Sequence, residues 1–287
     1  MRINQNKLVK MAVNGQVDHP RMGHFYVGYD GKGRLPVGTG GIVYTHAIGD
    51  SCMGIAGDHV EPGVTIANPS DRENHALETL ACVGNEVICL SGPAQGAKGI
   101  VTGTHGGVDH TMCYFPKKDI DKMTGHEQFL VKAYGQGLKL LDHEDVYMMN
   151  IDPDLLDLLP IQETETMIQF PVVTVLPPYL MGAGLGSDTM MEGDYDIMTQ
   201  DEQANEKYGI NQLRFGDFVA VLDHDSTYGP HYKQGAITIG VVVHSDSFTS
   251  GHGPGLTIVA TSSTRAIEPV VDAHANLANY TDVLLKR

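Results

Sequence analysis

The strongest constraint on the fold of this chain is a succession of short runs rich in valine, isoleucine and threonine, bounded by glycine, proline, asparagine or aspartate. Runs of this length and composition are typical of β-strands. They occupy residues 25–29, 41–45, 86–90, 99–102, 128–134, 166–175, 217–222, 236–244 and 256–261. The apolar segments 218–222 and 236–243, separated by a polar turn, predict two antiparallel strands of a small barrel or sandwich.

Few segments have helical periodicity. The clearest is 71–82, where Ser70 and Glu73 form a capping-box pattern and apolar residues recur on one face. Shorter helices are predicted at 153–159 and 200–208, and a terminal helix at 270–286. We therefore expect a mainly β protein (α+β at most): a layered antiparallel β-sandwich with a small β-barrel-like part and a few short helices.

A break in the strand pattern lies at residues 150–165, where Asp-Pro and Leu-Pro precede a polar segment. This break divides the chain into an N-terminal β-rich part, 1–155, with one helix near 71–82, and a C-terminal β-rich part, 156–287. The two parts could also form one compact unit.

Composition excludes several function classes. The chain of 287 residues has 35 acidic and 19 basic residues, a net charge of −16, and its Lys and Arg are not clustered, so we expect no nucleic-acid partner. The N-terminus lacks the apolar core of a secretory signal, and no window is apolar enough to span a membrane. We expect a cytoplasmic protein with no membrane partner, four buried reduced cysteines and a capacity to form a homo-oligomer.

Two glycine-rich segments resemble nucleotide-binding loops but do not match them. Residues 92–99 lack the spacing and the Ser or Thr of a phosphate loop. Residues 182–187 have Ser187 where a dinucleotide fingerprint needs its third glycine, and the segment that follows is a poor helix former. We therefore do not expect a nucleotide cofactor.

Histidines and carboxylates occur together in four short stretches rich in glycine or aspartate, each after a predicted strand. They are residues 57–63, 104–110, 223–231 and 244–255. Neutral imidazole and carboxylate are ligands for Zn, Mn and Fe, and loops at strand ends can bring them together. An Asp-His pair is also common in surface loops, and the stretch 223–231, at a hairpin turn, is interpreted as structural.

From these stretches we derive a candidate site. The predicted metal ligands are His105, His110, His244 and Asp246, and the predicted catalytic residues are Asp58, His59 and Asp109. The acidic segment 192–196 is interpreted as an exposed loop. The predicted cofactor is a divalent metal ion, Zn, Mn or Fe, and the predicted partner is a small-molecule substrate.

The same segments resemble a known bacterial family. Residues 41–63, 104–110, 193–197, 235–246 and 251–255 are similar to the family called domain of unknown function 4438 (DUF4438), almost from end to end. The resemblance implies a mainly β fold, with a layered sandwich and a small barrel, in cytoplasmic proteins. It does not supply an activity.

A more distant resemblance is to acetamidase/formamidase, whose members hydrolyse small amides. His105-Gly106-Gly107 with Asp109 resembles the His-Gly-Gly element of those enzymes. Asp58-His59 matches their Gly-Asp-x-His element with one residue fewer between Asp and His.

We expect an enzyme of the class that hydrolyses C–N bonds other than peptide bonds. The first hypothesis is a metal-dependent hydrolase of a small amide, lactam or cyclic imide, in which backbone amides of the glycine-rich loops bind the oxyanion. The alternatives are a metal-free lyase or isomerase that uses His and Asp as acid and base, and a non-catalytic protein that binds a small metabolite.

Overall fold

A closed ring of six antiparallel strands forms the N-terminal half of the molecule. The computed structural model describes residues 1–21, 24–35 and 38–287. The ring order is β1, β9, β6, β7, β8, β5 and back to β1, and β4 pairs with the outer edge of β5. These strands are β1 (Met11–Val17), β4 (Ile42–Val43), β5 (Gly63–Ala67), β6 (Glu86–Cys89), β7 (Lys98–His105), β8 (His110–Tyr114) and β9 (Gln128–Ala133). Two short strands, β2 (Tyr26–Val27) and β3 (Gly33–Arg34), form a separate hairpin.

A second, six-stranded sheet forms most of the C-terminal half. Its order is β10, β17, β16, β15, β13, and β14 also pairs with β17. Its strands are β10 (Tyr147–Met148), β13 (Thr174–Leu176), β14 (Tyr195–Asp196), β15 (Phe218–Asp225), β16 (His231–Val242) and β17 (Gly255–Ser262). A smaller sheet contains β11 (Gln162–Glu163), β12 (Ile168–Val172) and β18 (Ile267–Val271).

The structure confirms the mainly β class and the antiparallel pairing of β15 with β16. We expected antiparallel sheets, but two pairings are parallel: β13 with β15, and β12 with β18. Strands β1, β5 and β8 were not predicted. In β1 the sequence Met-Ala-Val-Asn-Gly-Gln-Val carries two amides and a glycine, so its strand character comes from its neighbours β5 and β9.

Three of the four predicted helices are present: α1 (Asp71–Leu80), α3 (Pro153–Leu158) and α4 (Glu202–Lys207). Two more are one turn long, α2 (Lys117–Ile120) and α5 (Thr281–Leu284). The predicted capping box of α1 is wrong, because the Ser70 side chain makes no capping hydrogen bond. No helix in the described part of the chain is long and apolar enough to cross a membrane.

The predicted helix at 270–286 is wrong. Val270 and Val271 belong to β18, which pairs in parallel with β12, and only the last turns of the chain are helical. Val270 and Val271 are β-branched, which favours a strand, and the pairing with β12 holds them in one.

Apolar side chains of the ring pack into one core and those of the C-terminal sheets into a larger one. At the junction of the halves, the Thr257 hydroxyl accepts from the Thr104 N–H at 2.9 Å and lies 3.1 Å from the Thr104 carbonyl. The end of β7 is thereby fixed against β17. All four cysteines are buried and unpaired, as predicted.

Candidate metal centre

Six histidine and aspartate side chains meet at the junction of the two halves. Two come from the N-terminal half, two from β14 and the residue before it, and two from the segment between β16 and β17. They are His59, His105, Asp194, Asp196, His244 and His252. Their ligand atoms form three overlapping sets, and within each set the atoms lie within 4.8 Å of one another: His59, His105 and His244; His59, Asp196 and His252; Asp194, Asp196 and His244.

Two of the histidines are oriented by carboxylates behind them. His59 Nδ1 lies 2.7 Å from Asp58 Oδ2, and His105 Nδ1 lies 2.5 Å from Glu61 Oε1. Glu61 is fully buried. A carboxylate on Nδ1 holds the proton there and leaves the Nε2 lone pair free, which is the usual arrangement of a metal-ligating histidine. In both cases Nε2 remains as the ligand atom that faces the cluster.

His244 has the same arrangement, with a backbone carbonyl in place of the carboxylate. Its Nδ1 lies 2.9 Å from the Ser245 carbonyl oxygen, and its Nε2 lies 2.7 Å from Asp194 Oδ2 and 3.4 Å from Asp196 Oδ1. His244 Nε2 thus forms a buried ion pair with these carboxylates. Two carboxylates and an imidazole nitrogen that are all buried and converge on one point favour a cation site.

Asp196 lies between two groups of ligand atoms. Its Oδ1 faces His244, whereas its Oδ2 lies 2.9 Å from His252 Nδ1 and 3.9 Å from His59 Nε2. His59 Nε2 and His252 Nδ1 are 3.2 Å apart. Ligands of one ion, at about 2.0–2.2 Å from it, lie within roughly 4.4 Å of one another. Because no single set contains all six described side chains, the cluster is wide enough for two ion positions that share Asp196.

Gly255, the first residue of β17, makes room for these side chains. A Cβ atom there would lie 1.7 Å from Asp194 Oδ2 and 2.3 Å from His244 Nε2. Its φ is not in the left-handed region, so the reason for a glycine at this position is the space that the ligand atoms occupy.

The charges at the site favour a cation. Burial lowers the pKa of His59, which keeps its imidazole neutral as a ligand must be. Burial also acts to lower the pKa of His244, but the charges of Asp194 and Asp196 outweigh it and raise this pKa well above its usual value. The proton on His244 therefore compensates the two carboxylates, and a metal ion would take over that role.

Three residues predicted for the site lie outside the cluster. His110 has both ring nitrogens against carboxylates, at 2.9 Å from Glu61 and 3.0 Å from Asp18, so it orients Glu61 and has no free ligand atom. Asp109 is exposed on the turn after β7, with a φ of 58°. The Asp246 carboxylate accepts from the Gly54 N–H, and burial raises its pKa to about 6.

Four participants were missed by the sequence analysis. Asp194 and Asp196 were interpreted as part of an exposed loop, although carboxylates two residues apart share one face of a strand. His252 lay in a candidate stretch but was not singled out. Glu61 contacts His105, which is 44 residues away, so only the fold shows its role.

In the stretch 223–231, which was interpreted as structural, His224 and Asp225 make their contacts within the C-terminal half. His224 Nε2 lies 2.9 Å from the Tyr195 hydroxyl in the interior of the C-terminal half. The Asp225 carboxylate accepts from the Thr227 N–H and hydroxyl in the turn that follows β15.

A cavity of about 1160 Å³ leads to the cluster. Its wall includes the turn after β7, the face of α1 and the segments before β14. Charged and ionisable residues are prominent in the wall: Asp18, Arg21, His59, Asp71, His75, Glu78, His105, Asp109, Asp188, Glu192, Asp194, Asp196 and His252. A ligand in this cavity can therefore reach the histidines from solvent.

Comparison with known proteins gives a family and a near structural match. The N-terminal model of the family described as "domain of unknown function (DUF4438)" matches residues 25–157, and its C-terminal model matches residues 158–281. The crystal structure of TM1086 is similar over 98% of this chain and 99% of that chain, with 44% sequence identity and a TM-score of 0.93. The search of curated proteins found no match.

Proposed function

The chain belongs to the DUF4438 family, and from its own side chains we propose that it is a metal-dependent hydrolase of a small amide, lactam or cyclic imide. One observation carries the proposal. Three histidine side chains converge while each Nδ1 is held by a carboxylate or a carbonyl, and the buried carboxylates of Asp194 and Asp196 lie 2.7 and 3.4 Å from His244 Nε2.

Zn, Mn or Fe bound at such a site polarises a carbonyl group and activates a water molecule near neutral pH. Asp194, Asp196 and His244 would hold one ion, and His59, Asp196 and His252 would hold a second. His105 belongs to the third set, with His59 and His244, and lies beside both positions. Asp58 and Glu61 act as positioning residues, because their carboxylates fix the rings of His59 and His105.

The choice of an amide rests on two features. His105-Gly106-Gly107 lies where the cavity meets the cluster, and this element resembles that of acetamidase/formamidase. The cavity volume also suits a small molecule. The expected oxyanion role of Gly106 does not fit, however, because its N–H donates to Asp194 Oδ1 at 2.8 Å. In our proposal the Gly106 N–H instead positions a metal ligand.

The test combines elemental analysis with an activity panel. Protein produced in medium that contains Zn, Mn and Fe is expected to retain metal, and chelation should abolish release of ammonia or amine from a panel of small amides, lactams and cyclic imides. His105→Ala should lose both metal and activity. His126→Gln, an exposed histidine away from the cluster, is the matched control and should keep both.

Three results would overturn the proposal. If the purified protein contains no metal, and its melting temperature does not rise when Zn, Mn or Fe is added, it has no such centre. Activity that resists strong chelators favours the metal-free lyase or isomerase. Metal-loaded protein that binds small metabolites but turns over none of the panel favours the binding protein.

A further inference from the structure

A buried glutamate without a partner lies in the cavity wall and is not one of the six side chains of the metal centre. Glu78 projects from α1 with only 5% of its surface exposed, and it lines the cavity. Its carboxyl group makes no hydrogen bond or ion pair with the described residues. The wall therefore presents an unpaired carboxyl group to the cavity, where a bound ligand can pair with it.

The groups that face Glu78 are mainly acidic. Burial, followed by the charges of Asp109 and Glu192, raises its pKa to about 8, while His110 acts in the opposite direction. His75 is already close to Glu192, with 2.8 Å between Nδ1 and Oε2. Glu78 is therefore mostly protonated at neutral pH, and a cation beside it would ionise it.

The basic groups of the wall do not offset this charge. Arg21 is the one Lys or Arg among the described lining residues, and it lies at the exposed end of the cavity, where its guanidinium is 3.3 Å from Asp18. Asp71 and Asp188 also line the cavity and add to its acidic wall. Such a surface attracts a cation and repels an anion.

We propose that Glu78 selects substrates that carry a positively charged nitrogen, an ammonium or guanidinium group, on the same small molecule as the hydrolysable C–N bond. The bond to be cleaved rests on the proposed function, whereas recognition of the cation depends only on this wall. Glu78 binds the cation at one end of the cavity, and the other end of the molecule reaches the metal centre.

The experiment compares three probes of similar length and different charge. Binding of 4-aminobutanamide (cationic), pentanamide (neutral) and succinamate (anionic) to the metal-loaded protein is measured by calorimetry at pH 7. We expect the cation to bind at least about ten-fold more tightly than the neutral amide and the anion to bind least. Binding of the cation should also release about one proton, seen as a dependence of the heat on the ionisation enthalpy of the buffer.

Two variants separate specificity from folding. Glu78→Gln should weaken binding of the cation about ten-fold, leave pentanamide within two-fold and suppress the proton release, with unchanged metal content. Glu73→Gln, on the exposed face of the same helix, should behave as the wild type. Glu78→Asp keeps the charge and should retain part of the preference.

Any of three results overturns this inference: equal affinity for the cationic and neutral probes, a preference for the cation that survives in Glu78→Gln, or no binding of any probe. Its failure can be distinguished from that of the proposed function. If the cation preference is present but no amide is hydrolysed, the hydrolase proposal fails alone. If amides are hydrolysed without regard to charge, the role of Glu78 fails alone.

Discussion

Replacement of Gly255 by alanine tests the metal centre with a single methyl group. Protein Cβ atoms essentially never approach other heavy atoms within 3.0 Å, so the added Cβ would displace Asp194 Oδ2 by at least about 1.3 Å and His244 Nε2 by about 0.7 Å. Metal–ligand distances tolerate about 0.2 Å. We therefore expect Gly255→Ala to lose metal affinity by about 100-fold or more, which is about 2.7 kcal/mol.

The assay is competition for Zn²⁺ with a chelating dye, together with urea denaturation of the metal-free protein. Gly15→Ala, in β1 and outside the cluster, is the matched control. Its Cβ would lie 3.1 Å from Ile66 Cδ1 and from Leu77 Cδ2, the ends of two apolar side chains, so its metal affinity should stay within a few-fold of the wild type. If Gly255→Ala binds Zn²⁺ as tightly as the wild type, Asp194 and His244 are not ligands and the assignment of the centre is wrong.

Three more predictions follow from the same geometry. Asp58→Asn should weaken metal binding about 10–100-fold in the dye assay, because His59 loses the carboxylate that orients it. An equal loss of metal affinity in Asp157→Asn, the exposed control, would contradict this. Elemental analysis of the fully loaded wild type should give two ions per chain. Asp196→Asn should bind fewer, since each Asp196 oxygen faces a different group of ligands. One ion per chain in both proteins would show that Asp196 is not shared between two ions. Because the pKa of Glu78 is raised to about 8 in the folded protein, Glu78 ionises at a lower pH in the unfolded chain. The free energy of unfolding of the wild type should therefore fall by about 3 kcal/mol between pH 5 and pH 8 relative to that of Glu78→Gln. If urea denaturation gives parallel pH profiles for the two proteins, Glu78 is not buried as an acid.

The fold class was predictable because it depends on local patterns. The apolar runs of β15 and β16 are long enough to be recognised alone, and so is the amphipathic face of α1. Strand β18 was not predicted, and its last two residues were assigned to a helix, because its partner β12 lies about 100 residues earlier and parallel pairing leaves no hairpin signal.

The candidate site was predictable only in part, for a similar reason. His244 follows directly on an apolar strand, and His105 is flanked by glycines, so both stand out locally. Asp196 ends a strand of two residues and Asp194 directly precedes it, and so short a strand cannot be recognised by alternation. Pairs such as Glu61 with His105 exist only after the ring of strands has closed, so no spacing along the chain reports them.

Both halves contribute to the centre, and they contribute different chemistry. The C-terminal half by itself supplies one of the three sets of ligand atoms, with two negative charges: Asp194, Asp196 and His244. The N-terminal half supplies two imidazoles that carboxylates already orient, those of His59 and His105. Hydrogen bonds cross the junction beside the site, as at Asp58, which accepts from Ser247 and Phe248 at 2.8 and 2.7 Å. The carboxylate that orients His59 is thus itself held by the other half. Contact between the halves therefore fixes the ligand geometry, and any substitution that loosens this junction should reduce metal affinity before it unfolds either core.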